Sequence, residues 1–222
     1  MVRLPDCVVF DLDGTILDSL PGIETSVRIA FAACGLPAPA GGLREFIGPP
    51  IRTIIARAGN IADETTLDAL ESAFRSDYDR EGWQRTICFL EAPHVLRIMH
   101  QRGHRLFVAS NKPQQVSLKI LEKEHIVDAF EAIVTRDSRF PLYGCKEEMI
   151  ASLLTERCIA AEKCVMVGDT IEDARAAAAT GIRFVYMTHG YGMVDTASTP
   201  VACKLDKFSQ FLPLIAEELV SD

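Results

Sequence analysis

Short apolar runs that end abruptly in polar clusters organise this chain. Val8-Val9-Phe10 stops at Asp11-Leu12-Asp13-Gly14-Thr15. His104 to Ala109 runs into Ser110-Asn111-Lys112, and Cys164 to Val167 into Gly168-Asp169-Thr170-Ile171-Glu172-Asp173. Apolar β-branched and aromatic residues at this density predict strands buried on both faces, as in a parallel sheet. Further strands are expected over 130–135 and 182–188, and helices over 93–102, 114–124, 146–157 and 172–179, the first and last closed by Gly103 and Gly181. Strands alternating with helices imply right-handed crossovers and a mostly parallel sheet.

From Asp18 to about Thr86 that alternation stops. Residues 24–34 have helical periodicity, with Val27, Ala30, Phe31 and Cys34 on one face. Gly48-Pro49-Pro50 opens a second helix at Ile51, and 63–80 reads as a longer amphipathic helix with Asp63 as its N-cap. The expectation is an α/β catalytic core built from 1–17 and 87–222, interrupted by a helical cap over 18–86. The hinges would lie near Asp18 and near 86–90.

Composition narrows the function classes. The chain has 222 residues, 48% of them hydrophobic, enough for one substantial core with an insertion. Twenty-three basic residues face 31 acidic ones, and no basic cluster stands out, which disfavours a nucleic-acid or anionic-membrane surface. Seven scattered cysteines without a Cys-x-x-Cys suggest neither a zinc site nor a disulfide framework, and a reduced cytosol fits them best. With no membrane-length segment and no room for a signal peptide before the first strand, a soluble cytoplasmic protein is expected.

The polar clusters carry the candidate chemistry. Asp11 and Asp13 are two apart, so they leave the strand on the same side, and burying two unpaired carboxylates is costly. Asp-Gly is also a common turn pair. Three strands nevertheless deliver polar groups at one end of the sheet, where open α/β folds bind ligands.

The order Asp-x-Asp-Gly-Thr, Ser-Asn, a lysine, then Gly-Asp-x-x-x-Asp resembles the haloacid dehalogenase superfamily over most of the chain. The fold so implied is α/β, a Rossmann-like parallel-sheet core with an inserted α-helical cap. The resemblance implies that Asp11 is a nucleophile forming an aspartyl-phosphate, and that Asp13 is the general acid and base. The family's dehalogenases lack the second aspartate, so Asp13 argues for phosphoryl chemistry. Mg²⁺ would be held by Asp11, the main-chain carbonyl of Asp13 and Asp169, with Asp173 supporting the metal's waters. Ser110, the amide of Asn111 and Thr15 would hold the phosphoryl group. Lys146 would supply positive charge, although Glu147-Glu148 follow it where relatives have prolines, and Lys112, Arg136 and Arg139 are alternatives.

The stretch Asp13 to Pro21, with Gly48-Pro49-Pro50, Gly168-Asp169-Thr170 and Gly190-Tyr191-Gly192, resembles the phosphoglycolate phosphatase branch. Leu90-Glu91-Ala92-Pro93 departs from the Tyr-Pro-Gly usual at the second hinge. His189 receives no role. The implied activity is a Mg²⁺-dependent phosphatase acting on a small phosphate ester, monomeric or homodimeric. A sugar phosphomutase and an inactive ligand-binding scaffold are the alternatives. Polar cap residues near Gly48-Pro49-Pro50, Arg52 among them, are expected to select the ester.

Overall fold

The computed structural model describes residues 3–215. In chain order the elements are β1 (Cys7–Phe10), β2 (Leu17–Asp18), α1 (Leu20–Ala33), α2 (Ile51–Gly59), α3 (Glu64–Tyr78), β3 (Ile87–Cys88), α4 (Ala92–Gln101), β4 (Arg105–Ser110), α5 (Gln114–Lys123), β5 (Phe130–Thr135), α6 (Lys146–Glu156), β6 (Cys164–Gly168), α7 (Ile171–Thr180), β7 (Arg183–Met187) and β8 (Cys203–Leu205). Short 3₁₀ turns join several of them. Among the described residues, no helix is long and apolar enough to cross a membrane.

Six strands form one sheet in the order β5-β4-β1-β6-β7-β8, and every pairing in it is parallel. The four residues of β1 are buried because helices cover both faces. Alternate residues serve opposite layers. Val8 and Phe10 pack with α4 and α5 residues such as Leu96 and Ile120, while Cys7 and Val9 pack with Met149 of α6 and Ala177 of α7. Phe10 meets Phe130 and Phe211 edge-on, at 6.5 and 6.0 Å between ring centroids. After β1 the chain builds outward through β4 and β5, then crosses back to β6 on the other side. That reversal makes the carboxyl end of β1 the topological switch point, where such sheets open a crevice.

The helices between β2 and β3 form an inserted helical cap. Val27 and Phe31 of α1, Ile55 of α2 and Leu70 and Phe74 of α3 form its interior. Asp63 caps α3 as expected, accepting the Thr66 amide at 2.7 Å. Helix α1 begins at Leu20, four residues earlier than the periodicity predicts. Pro21 lies in the first turn, where its missing amide costs nothing, so Pro21-Gly22 does not break the helix.

The two chain crossings into and out of the cap are zipped together by the antiparallel pair β2–β3, with Leu17 opposite Cys88 and Asp18 opposite Ile87. Two-residue strands are too short to leave a pattern in the sequence. The same holds for β8, a three-residue edge strand. At the second hinge Glu91 takes the left-handed conformation, with φ +68°. That costs a non-glycine residue about 1–2 kcal/mol; its carboxylate accepting the Ser209 amide at 3.0 Å offsets part of the strain.

A core loop caps α1. Ser19 makes no side-chain cap, and the Tyr191 hydroxyl instead accepts the Ser19 and Leu20 amides at 2.8 and 3.1 Å while donating to Asp18 Oδ1 at 2.8 Å. Removing that oxygen leaves buried amides without an acceptor. Tyr191→Phe is therefore expected to lower stability by about 1–3 kcal/mol in urea denaturation; a change within a few tenths would show that the hinge does not depend on this bond.

Candidate active site

Four buried or half-buried aspartates and two buried lysines meet at the carboxyl end of β1 and β6. Asp11 follows β1 directly and its amide bonds to Val167 O at 2.9 Å, so the nucleophile candidate is locked to the strand beside it. Asp169 follows β6. Its Oδ1 accepts the Thr15 hydroxyl at 3.0 Å, and its Oδ2 accepts the Tyr191 and Gly192 amides at 2.7 and 3.1 Å. Gly14 (φ +87°) and Gly190 press against this carboxylate so closely that a Cβ on either would collide with it.

Lys146 opens α6 and is buried. Its Nζ lies 3.0 Å from Asp11 Oδ1 and 2.5 Å from Asp173 Oδ1. Glu148 helps shape this turn in the absence of the prolines, accepting the Gly144 amide at 3.0 Å and pairing with Arg139, whose guanidinium stacks 3.7 Å from the Tyr143 ring. Arg139 is thereby taken to the surface, away from Asp11. Both carboxylate oxygens of Asp173 are engaged by neighbouring donors. One oxygen holds Lys146, and the other accepts the Thr170 amide and hydroxyl at 2.9 and 2.7 Å in a capping box at the start of α7.

Lys112 follows Ser110-Asn111 and is also buried. Its Nζ reaches Asp13 Oδ1 at 2.9 Å and the Tyr78 hydroxyl of the cap at 2.8 Å. This triad is absent from the expectations above: Lys112 figures there only as a substitute for Lys146, and Tyr78 is not singled out. Ser110 is buried beside them, its Oγ accepting the Lys112 amide at 3.4 Å. The Asn111 side chain bridges Gly48 O of the cap and Glu172, at 3.0 Å each.

The electrostatics follow from burial. Taking Asp11 out of water pushes its pKa up to about 8; Lys146 opposes the shift, and Asp173, Asp169 and Asp13 add to it. Burial likewise raises Asp169 to about 6, reinforced by Asp173 and opposed by the amides of Tyr191 and Gly192 and the Thr15 hydroxyl. Burial alone would depress both lysines, but Asp11 and Asp173 hold Lys146, and Asp13 and Tyr78 hold Lys112, above the ordinary lysine value. Four carboxylates against two ammonium groups leave two negative charges. Oxygens of Asp11, Asp169 and Asp173 approach within 4.8 Å of one another. A buried, all-oxygen donor set with that surplus fits a hard divalent cation such as Mg²⁺.

The cap lies down over this cluster. Arg44 donates to the His189 and Gly190 carbonyls at 3.1 and 2.5 Å, and Lys119 and Lys123 donate to carbonyls of Asp79, Gln84 and Thr86. His189 bridges the carbonyls of Thr15 and Asp206 and stacks on Phe89 with centroids 4.2 Å apart, which makes it a joint between loops. Arg52 does not face the cluster. Its guanidinium pairs with Glu64, Asp68 and Glu71 of α3 and braces α2 against α3.

These features recur in known proteins. The family model of haloacid dehalogenase-like hydrolases matches residues 8–187. Tyrosine-protein kinase PtkA of Mycobacterium tuberculosis is 35% identical over 218 residues, covering 94% of this chain and 72% of that protein. Its solved structure superposes with a TM-score of 0.81 at 33% identity, over 96% of this chain and 99% of that one. A 5′-nucleotidase of Pseudomonas aeruginosa is 31% identical over 87% of each chain. A phosphoglycolate phosphatase of Cereibacter sphaeroides is 32% identical over 83% of this chain and 85% of the other. With its aspartate cluster at the switch point of a parallel sheet and a helical cap above it, the chain is an enzyme of the phosphatase type and belongs to the haloacid dehalogenase-like hydrolase family.

Proposed function

We propose that this enzyme is a Mg²⁺-dependent phosphatase that hydrolyses a small phosphorylated metabolite, phosphoglycolate-like, through phosphorylation of Asp11. The observation that carries the reading is the pairing of Asp11 with Lys146 at 3.0 Å at the end of β1, with Asp13 two residues on and outside that pair. An Asp11 oxygen attacks phosphorus, the bond from phosphorus to the ester oxygen breaks, and the Asp13 carboxyl gives its proton to the departing alkoxide. Water then attacks the aspartyl-phosphate, Asp13 takes its proton, and inorganic phosphate leaves. Lys146 balances charge at Asp11, while Ser110, the Asn111 amide and Thr15 hold phosphoryl oxygens or order the first loop. Lys112 pairs with Asp13 in the absence of substrate, and an incoming phosphate dianion competes for that ammonium.

Asp11, the Asp13 carbonyl and Asp169 would hold the Mg²⁺, which supplies positive charge to the transferring phosphoryl group. The cap, residues 18–86, is read as a mobile lid that excludes water on closing. Likeness to the phosphoglycolate phosphatase and the 5′-nucleotidase supports a small ester as substrate. The 35% identity to a protein named as a tyrosine kinase favours one second reading, phosphoryl transfer to a protein tyrosine. Release of inorganic phosphate from esters, measured against transfer of label from ATP to a tyrosine acceptor, separates the two.

Asp11→Asn should lower kcat by about 10³-fold or more with the fold intact. Asp13→Asn should cost about 10²–10⁴-fold on alkyl phosphates but much less on para-nitrophenyl phosphate, whose leaving group needs no proton. Equal losses on both substrates would remove Asp13 from the acid role.

Chelation should silence the enzyme, Mg²⁺ should restore it, and Ca²⁺, with its larger and looser shell, should inhibit. Full turnover in excess chelator contradicts the metal requirement.

Burial also links the site to stability. Asp11 has a folded pKa of about 8, above the ordinary 3.8, so between those values the folded state binds more protons than the unfolded one. Its contribution is therefore destabilising as pH rises through that window. In chelator, Asp11→Asn should be more stable than the parent by a margin that grows from pH 4 to pH 8, and Mg²⁺ should close the gap at pH 8. A margin that stays flat with pH in urea denaturation would contradict the shift.

A further inference from the structure

Two hollows meet where the cap covers the β4 end of the sheet. The inner one, about 40 Å³, is bounded by Asp13, Lys112, Tyr78 and the Gly48-Pro49-Pro50 turn. That is room for on the order of one to three water molecules and not for an organic leaving group. The outer one, about 490 Å³, lies within the range of small-molecule sites. The two share Pro50, Arg75, Asn111 and Pro113 as walls. An ester with its phosphorus at Asp11 under the closed cap therefore has to place its remainder in the outer groove.

The charges around that groove are unequally committed. Arg52 and Glu71 are paired with each other. Asp137 accepts the Gln114 amide and Thr135 hydroxyl at 2.9 and 2.8 Å. Arg75 is engaged on its own helix, pairing with Glu71 at 4.0 Å and with the half-buried Asp79 at 3.6 Å. Arg136 makes no ion pair and no side-chain hydrogen bond among the described residues, yet its Nε is buried. Its backbone is fixed, the amide donating to Ser110 O at 3.2 Å and the carbonyl accepting from Tyr143 N at 3.0 Å. A guanidinium held beside the phosphate-binding strand end with a buried donor left over is a group awaiting an acceptor.

We propose that the outer groove seats the leaving group and that Arg136 binds a second anion on it. The substrate class is then a phosphate ester bearing a carboxylate or a second phosphate. This rests on the phosphatase reading and deepens it. Two matched pairs test it: 3-phosphoglycerate against glycerol 3-phosphate for a carboxylate, and fructose 1,6-bisphosphate against fructose 1-phosphate for a phosphate. The parent enzyme should favour the member bearing the second anionic group in at least one pair by about tenfold or more in kcat/KM. Arg136→Gln should bring that ratio toward one and Arg136→Lys should recover part of it. If Arg136→Gln does not fold, Arg136→Lys read against the parent decides alone, a lowered ratio supporting the proposal and an unchanged one overturning it. Ratios near one in the parent, or unchanged in the variants, overturn the proposal. Hydrolysis of para-nitrophenyl phosphate, lost in Asp11→Asn, tests the phosphatase reading separately. Should no ester be hydrolysed, calorimetric titration of the same pairs into the parent protein with Mg²⁺ still decides the groove by the ratio of affinities.

Discussion

Burying like charges at one point is the constraint on which this architecture depends. Asp11, Asp169 and Asp173 have oxygens within 4.8 Å of one another. At an effective dielectric near 20, two unit charges 4 Å apart repel by about 4 kcal/mol. Three elements share the task of holding them: β1 delivers Asp11, β6 delivers Asp169, and α6 brings Lys146 across to Asp11 and Asp173. The parallel sheet tolerates the arrangement because its helix-covered strands anchor the backbone on both sides. The remaining charge surplus explains why this end of the sheet suits a divalent cation and a phosphoryl group.

Glycines and amides complete the cradle. Gly14 and Gly190 are tight against Asp169 because no side chain fits there, and the Tyr191 and Gly192 amides solvate its carboxylate in place of water. The loop that supplies those amides also supplies the Tyr191 hydroxyl to the first turn of α1. The Asp169 carboxylate and the cap hinge are therefore held by one short segment. Displacing it disturbs both at once.

Besides the apolar packing they share, cap and core are joined by polar groups reaching backbone carbonyls: Arg44 to residues 189–190, Asn111 to Gly48, and Lys123 to Gln84 and Thr86. Each is individually modest in free energy, on the order of 0.5–1.5 kcal/mol, or more where the donor is charged. Tyr78 is the exception in kind. It carries a cap hydroxyl to the ammonium that also holds Asp13, and so joins cap position to the proposed acid–base residue.

The sequence by itself determined the alternation of strands and helices, the helical insertion and the ends of three strands. Buried strands need apolar runs, and the carboxylates of Asp11 and Asp169 interrupt those runs visibly. Pattern does not capture interactions between distant segments. The β2–β3 zipper, two residues on each side, carries no periodic signal. Lys146 lacks the prolines that mark it in relatives, and only the folding of α6 against β1 and α7 puts it on Asp11. Arg52 is a cation near the cap turn in sequence, but the acidic face of α3 takes it in space. Lys112, Tyr78 and Arg136 are far apart along the chain and ordinary in their local context. Tertiary structure alone decided that the first two meet Asp13 and that the third keeps a buried donor beside the groove, because burial and charge pairing are set by which elements pack together.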